Sequence, residues 1–70
     1  MKEIKINKIQ AYRKTLGVTQ KGMSKFLNIS EAMYGRKERR RTPFTDNEKV
    51  KLLNYFKKYF SNETIDSLFF

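Results

Sequence analysis

Cysteine and histidine are both absent from this chain of 70 residues. Their absence removes disulfide staples, thiol nucleophiles and the usual zinc ligand sets, and leaves only carboxylates for metal work. No metal and no cofactor are expected. Long apolar runs are missing as well: the opening MKEIKINKIQ interleaves charges with single isoleucines and has no segment of the length that a signal peptide or spanning helix requires. The expected setting is soluble and cytoplasmic. No repeat, low-complexity tract or dividing linker occurs, so residues 1–70 read as one domain. A chain of this size buries only about 60% of the surface it exposes when unfolded. Net stability is therefore expected to be modest, about 3–5 kcal/mol, with little room for an enzyme cleft or a separate sensor domain. The chain has no clustered acids and its few hydroxyls fall at capping positions, so no enzymatic activity is expected.

What the chain does contain is basic charge. Its formal net charge is +9, and five of the six residues from Arg36 to Arg41 are Lys or Arg. Residues 1 to 43 hold twelve Lys/Arg against three Glu, whereas residues 44 to 70 hold four basic and four acidic residues. Such asymmetry points to a polyanion-binding face joined to a neutral packing or assembly segment.

Helical spacing dominates, and sustained strand alternation is nowhere found. Ile6, Ile9, Tyr12 and Leu16 make one apolar stripe on a first helix that ends before Gly17. Thr19 is placed to cap a second helix, Gln20 to Leu27, with Met23, Phe26 and Leu27 facing inward. Gly22 costs that helix about 1 kcal/mol relative to alanine. Asn28 tolerates a left-handed turn, and Ser30 caps a third helix from Glu31. Pro43 breaks the pattern; Thr45 and Glu48 then form a capping box for a fourth helix carrying Val50, Leu52, Leu53 and Phe56 and continuing to Phe60. Thr64 caps a last helix with Ile65, Leu68 and Phe69. The fold class is all-α, with five short helices around one core.

Helices two and three, joined by a short turn, make the unit that sets a recognition helix in the DNA major groove. At 100° per residue, Met33, Tyr34 and Lys37 share one side of helix three, where Lys37 buries its stem and extends its ammonium to solvent. Glu31, Ala32, Gly35, Arg36 and Arg39 share the other, a small and polar surface. Groove chemistry assigns Arg36 to guanine, Ala32 to a thymine methyl and Glu31 to cytosine N4, with Gly35 allowing close approach of backbone and base edge. Glu31 has an equally good second role as a favourable acid at a helix N-terminus. Gln20 at the start of helix two, with Lys21, Arg39, Arg40 and Arg41, is assigned to phosphates, which set affinity and orientation. Glu38 is read as structural, paired to a local Arg or Lys, and the aromatic residues as core. A single-strand binder stacking bases on aromatics remains open but usually needs a sheet platform.

These residues resemble a known family. VTQKGMSKFLNIS followed by YGRKE is similar to the lambda-repressor-like helix-turn-helix family of Cro and Xre type, especially small regulators of Gram-positive bacteria and their phages. The matching positions are Thr19 and Gln20, Ser24, Asn28, and Tyr34, Arg36, Lys37 and Glu38; the closing TIDSLFF is similar to the family's last helix. The resemblance spans roughly Ile9 to Phe70. It implies a repressor that binds a pseudo-palindromic operator as a homodimer, in part through Leu68, Phe69 and Phe70. Its regulation would then depend on concentration or on another protein.

Three departures stand out. Arg39 and Arg40 replace the family's Asn-Gly, so that the loop is strained or helix three runs further. Gly22 stands where the family often has Glu. The interval from Phe44 to Ile65 is longer by about one helical turn, which is expected to lengthen helix four. The alternative function is a module of the same fold that binds a protein partner, an anti-repressor or an inhibitor of a host protein, without reading DNA. The absence of Asn and Gln, the residues that read adenine, from the outer side of helix three keeps that alternative open.

Overall fold

The computed structural model describes residues 7–69. Ile6, expected on the first stripe, and Phe70, expected at a subunit interface, lie outside the described residues. Five helices follow one another: α1 (Lys8–Thr15), α2 (Gln20–Leu27), α3 (Glu31–Glu38), α4 (Asp46–Lys57) and α5 (Ile65–Phe69), with no strand among the described residues.

Local chemistry explains most of the boundaries. Asn7, Thr19, Ser30 and Thr45 each sit in extended backbone and accept a hydrogen bond from an N–H of the first turn, which satisfies a donor the helix itself leaves unpaired. At Thr45 the box is complete, since the Glu48 carboxylate accepts from the Thr45 N–H in return at 2.9 Å. The first three helices end alike. Gly17, Asn28 and Arg40 take positive φ of 73°, 59° and 64°, and in each case the following N–H reaches back across the last turn, from Val18 to Arg13, Ile29 to Ser24 and Arg41 to Arg36. Glycine and asparagine adopt this conformation readily. Arginine does not, so of the two alternatives for the Arg39–Arg40 step the strained turn is the one adopted, and α3 stops at Glu38.

Ile9, Met23, Leu27, Tyr34, Leu52, Phe56 and Leu68 form the buried core, with contributions from all five helices. α2 packs most extensively on α3, while α5 bridges α4 and α1. Tyr12 links the two ends of the chain: its ring stacks on Phe60 with centroids 3.9 Å apart and meets Phe56 edge-on at 5.7 Å. Its hydroxyl donates to Glu63, which also receives Lys8 Nζ at 3.2 Å and Ser67 Oγ at 2.6 Å. That hydrogen bond to Glu63 pushes the Tyr12 phenol up to about 12.

Three expectations are corrected. Phe26 is not inward: it is 43% exposed and leans on Tyr55, with centroids 5.3 Å apart. Val50, on α4, is half exposed. Helix four does not continue to Phe60 but stops at Lys57, with Lys58 as its C-cap. Leu68 is buried in this chain's own core, which leaves Phe69 as the partly exposed member of the proposed interface set.

Candidate nucleic-acid interface

α2 and α3 are joined by residues 28, 29 and 30 and packed directly on each other. What fixes α3 is a set of polar contacts beneath it. Glu38, at its C-terminus, is 1% exposed and accepts from Arg13 Nε at 2.7 Å, Arg13 Nη2 at 3.1 Å, Tyr34 Oη at 2.7 Å and Gln20 Nε2 at 3.1 Å. Arg13 also donates through Nη1 to Val18 O at 2.8 Å. Above them Asn7 Nδ2 donates to the Glu38 carbonyl at 2.6 Å, so one amide caps the start of α1 and the end of α3. One carboxylate thereby joins α1, α2 and α3, and every buried side-chain polar atom among the described residues has a partner.

The protonation states follow from this geometry. Burial pushes the Glu38 carboxyl up, but hydrogen bonds from Arg13, Tyr34 and Gln20 outweigh it and hold the group below the usual carboxylate value. Tyr34 is raised, first by burial and then by its bond to Glu38, and Arg13 is raised by that same carboxylate. A second buried pair lies alongside: Lys37 Nζ meets Glu48 Oε1 at 2.5 Å, with the two side chains 8% and 10% exposed. Burial raises the Glu48 carboxyl, and the bonds from Lys37 and Thr45 more than reverse that.

Two expectations change as a result. The partner of Glu38 is not local but Arg13, 25 residues away on α1. The Lys37 ammonium is not in solvent but buried against Glu48, so the run from Arg36 to Arg41 offers only Arg36, Arg39, Arg40 and Arg41 to a ligand. Arg13 could have been anticipated, because it follows Ile9 by four residues and so lies on the apolar stripe of α1.

The remaining site residues divide clearly. Glu31, Ala32 and Arg36 are exposed on the outer side of α3, and neither charged side chain hydrogen bonds or ion pairs with other described residues. Lys21, Arg39, Arg40 and Arg41 are also exposed. Gly35 and Gln20 are used differently from the expectation. Gly35 is buried: a Cβ there would lie 3.2 Å from Arg39 Nη1 and 3.5 Å from Gln20 Oε1. Its missing side chain is thus the space over which the Arg39 guanidinium lies. Gln20 is half-buried and spends an amide N–H on Glu38, so its side chain is not simply held out for a phosphate. The arrangement combines a rigidly seated short helix, an outer side without bulky apolar groups, and four arginines.

Comparison with protein families, with curated proteins and with solved structures finds no match to this chain. No described helix is long and apolar enough to cross a membrane.

Proposed function

We propose that this protein is a sequence-specific double-stranded DNA-binding regulator of Cro/Xre type, a repressor of a phage or mobile element with a lambda-repressor-like helix-turn-helix formed by α2 and α3, and not an enzyme. The observation that carries the reading is the two-sidedness of α3. Its inner side is fixed by buried ion pairs, while its outer side presents Glu31, Ala32 and Arg36 beside the exposed Arg39, Arg40, Arg41 and Lys21. A recognition helix needs both properties: base edges are read by a few side chains held in register, and surrounding cations supply the sequence-independent affinity. Operator occupancy by a homodimer would present two such helices, with Phe69 and the half-exposed Val50 supplying apolar surface for association.

A second reading is favoured by a different surface. Phe26, Tyr55 and Tyr59 form a ridge across α2 and α4, with centroids 5.3 and 5.9 Å apart, and Phe26 and Tyr59 are 43% and 58% exposed. Exposed aromatics of this kind suit a protein partner, which is the anti-repressor or host-inhibitor alternative.

Selection of bound duplexes from a random-sequence pool at about 0.15 M salt, where exposed charges are strongly screened, separates the two. Recovery of a palindrome with half-sites near one helical turn apart is the expected result. Binding without enrichment that vanishes as salt rises would reduce the arginines to a polyanion patch and favour the protein partner.

A further inference from the structure

The aromatic ridge across α2 and α4 has a charged border. Tyr55 holds its middle: it is partly buried against the core, and its ring meets Phe56 edge-on with centroids 5.4 Å apart. Phe26 and Tyr59, both exposed, contact it at 5.3 and 5.9 Å. Lys51 precedes Tyr55 by four residues and Lys58, the C-cap of α4, follows it by three, so both lie on the Tyr55 side of the helix. Both are exposed, and neither ammonium makes a hydrogen bond or ion pair with other described residues. Acid is missing from the segments that build the ridge: α2 holds two lysines and no carboxylate, and residues 49–62 hold four lysines and none. Glu63 lines the cleft beside Tyr59, but Lys8 matches its charge.

From this arrangement we infer that the ridge docks an acidic amphipathic helix of another protein, with its apolar side chains on Phe26, Tyr55 and Tyr59 and its carboxylates on Lys51 and Lys58. Three features select this occupant. The intervals between the rings are close to the pitch of an α-helix, about 5.4 Å, so side chains from successive turns of a partner meet successive rings. The rings are tilted to one another by 47° and 60° and offer no parallel faces for stacked bases. A second copy of this chain would bring a further net charge of +9 against the lysines, whereas a partner's carboxylates complement them. The middle ring is already held by Phe56, so docking costs it little freedom. The inference rests on the reading of the ridge as a protein-binding surface and is independent of DNA binding by α3.

The test is a heteronuclear NMR titration of the full chain with an end-blocked synthetic helix of about three turns, carrying one leucine or tryptophan per turn in a background of Glu and Ala. A twin peptide with Gln in place of every Glu is the control. Saturable shifts centred on Phe26, Tyr55 and Tyr59 are expected, with a dissociation constant on the order of 0.1 mM, and the twin should bind about five-fold more weakly. Tyr59→Ala should weaken the acidic peptide about ten-fold, with an unchanged circular dichroism spectrum because the side chain is more than half exposed. Lys58→Gln should weaken the acidic peptide and leave the twin unchanged, whereas Arg36→Gln should change neither. Equal affinity for the two peptides at the ridge would overturn the acidic partner while keeping the protein-binding reading. Absence of saturable shifts at the ridge with either peptide would remove both. Shifts centred on α3, with the loss falling on Arg36→Gln, would transfer the peptide to the arginine surface and overturn the inference. Phosphatidylglycerol vesicles that pellet the parent but not Tyr59→Ala, in the absence of peptide binding, would assign the ridge to a lipid surface instead.

Discussion

On the inner side of α3, Tyr34, Lys37 and Glu38 are all buried, and each donates to or accepts from a group on another turn or another helix. On its outer side Glu31, Ala32 and Arg36 are exposed, and the two charged side chains have no such partner among the described residues. The helix is short, with a glycine near its middle, and would be marginal alone. Its seating comes from directional polar contacts, which fix rotation as well as position in a way that apolar contact alone does not. The two sides of one helix therefore differ in kind: charges facing inward determine where the helix sits, and charges facing outward have no partner among the described residues.

The strongest way to break the inner side is acid. Glu38, Glu48 and Glu63 all have folded-state values below the usual 4.5. At low pH the unfolded chain therefore binds more protons than the folded one, so this part of the stability is fully present above about pH 5 and is lost as pH falls through 4.5 toward the folded-state values. Tyr12 has the opposite sign. Its folded value of about 12 lies above the ordinary 10.0, and its contribution is lost as pH rises through the folded value. Denaturant unfolding between about pH 7 and pH 3 should show a progressive loss of midpoint ending in acid unfolding. A midpoint constant down to pH 3 would mean that the three carboxylates are not anchors.

A single substitution should have nearly as large an effect. Glu38→Gln keeps the shape but leaves the buried Arg13 guanidinium without its counter-charge, which typically costs about 3–5 kcal/mol. In a domain whose whole stability is expected to be about that size, the variant should be largely unfolded by circular dichroism at 25 °C. A loss below about 1 kcal/mol would show that the pair is solvated in solution and behaves as a surface ion pair.

How much of this was legible in the residues depended on the range of the interaction. Both ends of α2 and the start of α3 were readable because Thr19, Asn28 and Ser30 act within one turn of themselves, and the Thr45–Glu48 box was readable for the same reason. The ion pairs were not. Arg13 and Glu38 are 25 residues apart and Lys8 and Glu63 are 55 apart, and a charge met in sequence is by default assigned to solvent. That default also misplaced Lys37, whose spacing put it on the packing side but whose charge was sent outward. Phe26 shows the converse error, an aromatic assigned to the core that lies on the surface against Tyr55. On the candidate site, Glu31, Ala32 and Arg36 could be placed from helical angle alone, while the use of Gly35 by Arg39 and of Gln20 by Glu38 depends on how α2 packs across α3.

A smaller change sharpens the boundary between the two sides. Arg40 holds φ 64° at the turn that ends α3, where the handedness of an L-residue is unfavourable and glycine carries no such penalty. Arg40→Gly should raise stability by about 1 kcal/mol, read as a higher denaturation midpoint with unchanged slope. A fall in stability would mean that the Arg40 side chain contributes more to the fold than its exposure suggests.

The smallest expected effect on stability is the most informative about function. Arg36 is exposed and without a partner among the described residues, so Arg36→Ala should leave the unfolding free energy within about 0.5 kcal/mol of the parent. On a selected operator the same variant should lose about 1–3 kcal/mol of affinity, while binding to unrelated duplexes changes little. The two measurements together decide what the outer side of α3 is for. Unchanged stability with a sequence-dependent loss identifies a base contact. Unchanged stability with an equal loss on every duplex identifies a phosphate contact and transfers base reading away from Arg36 to the neighbouring Glu31 and Ala32. A loss of stability would place Arg36 on the inner side of the division, contrary to its exposure.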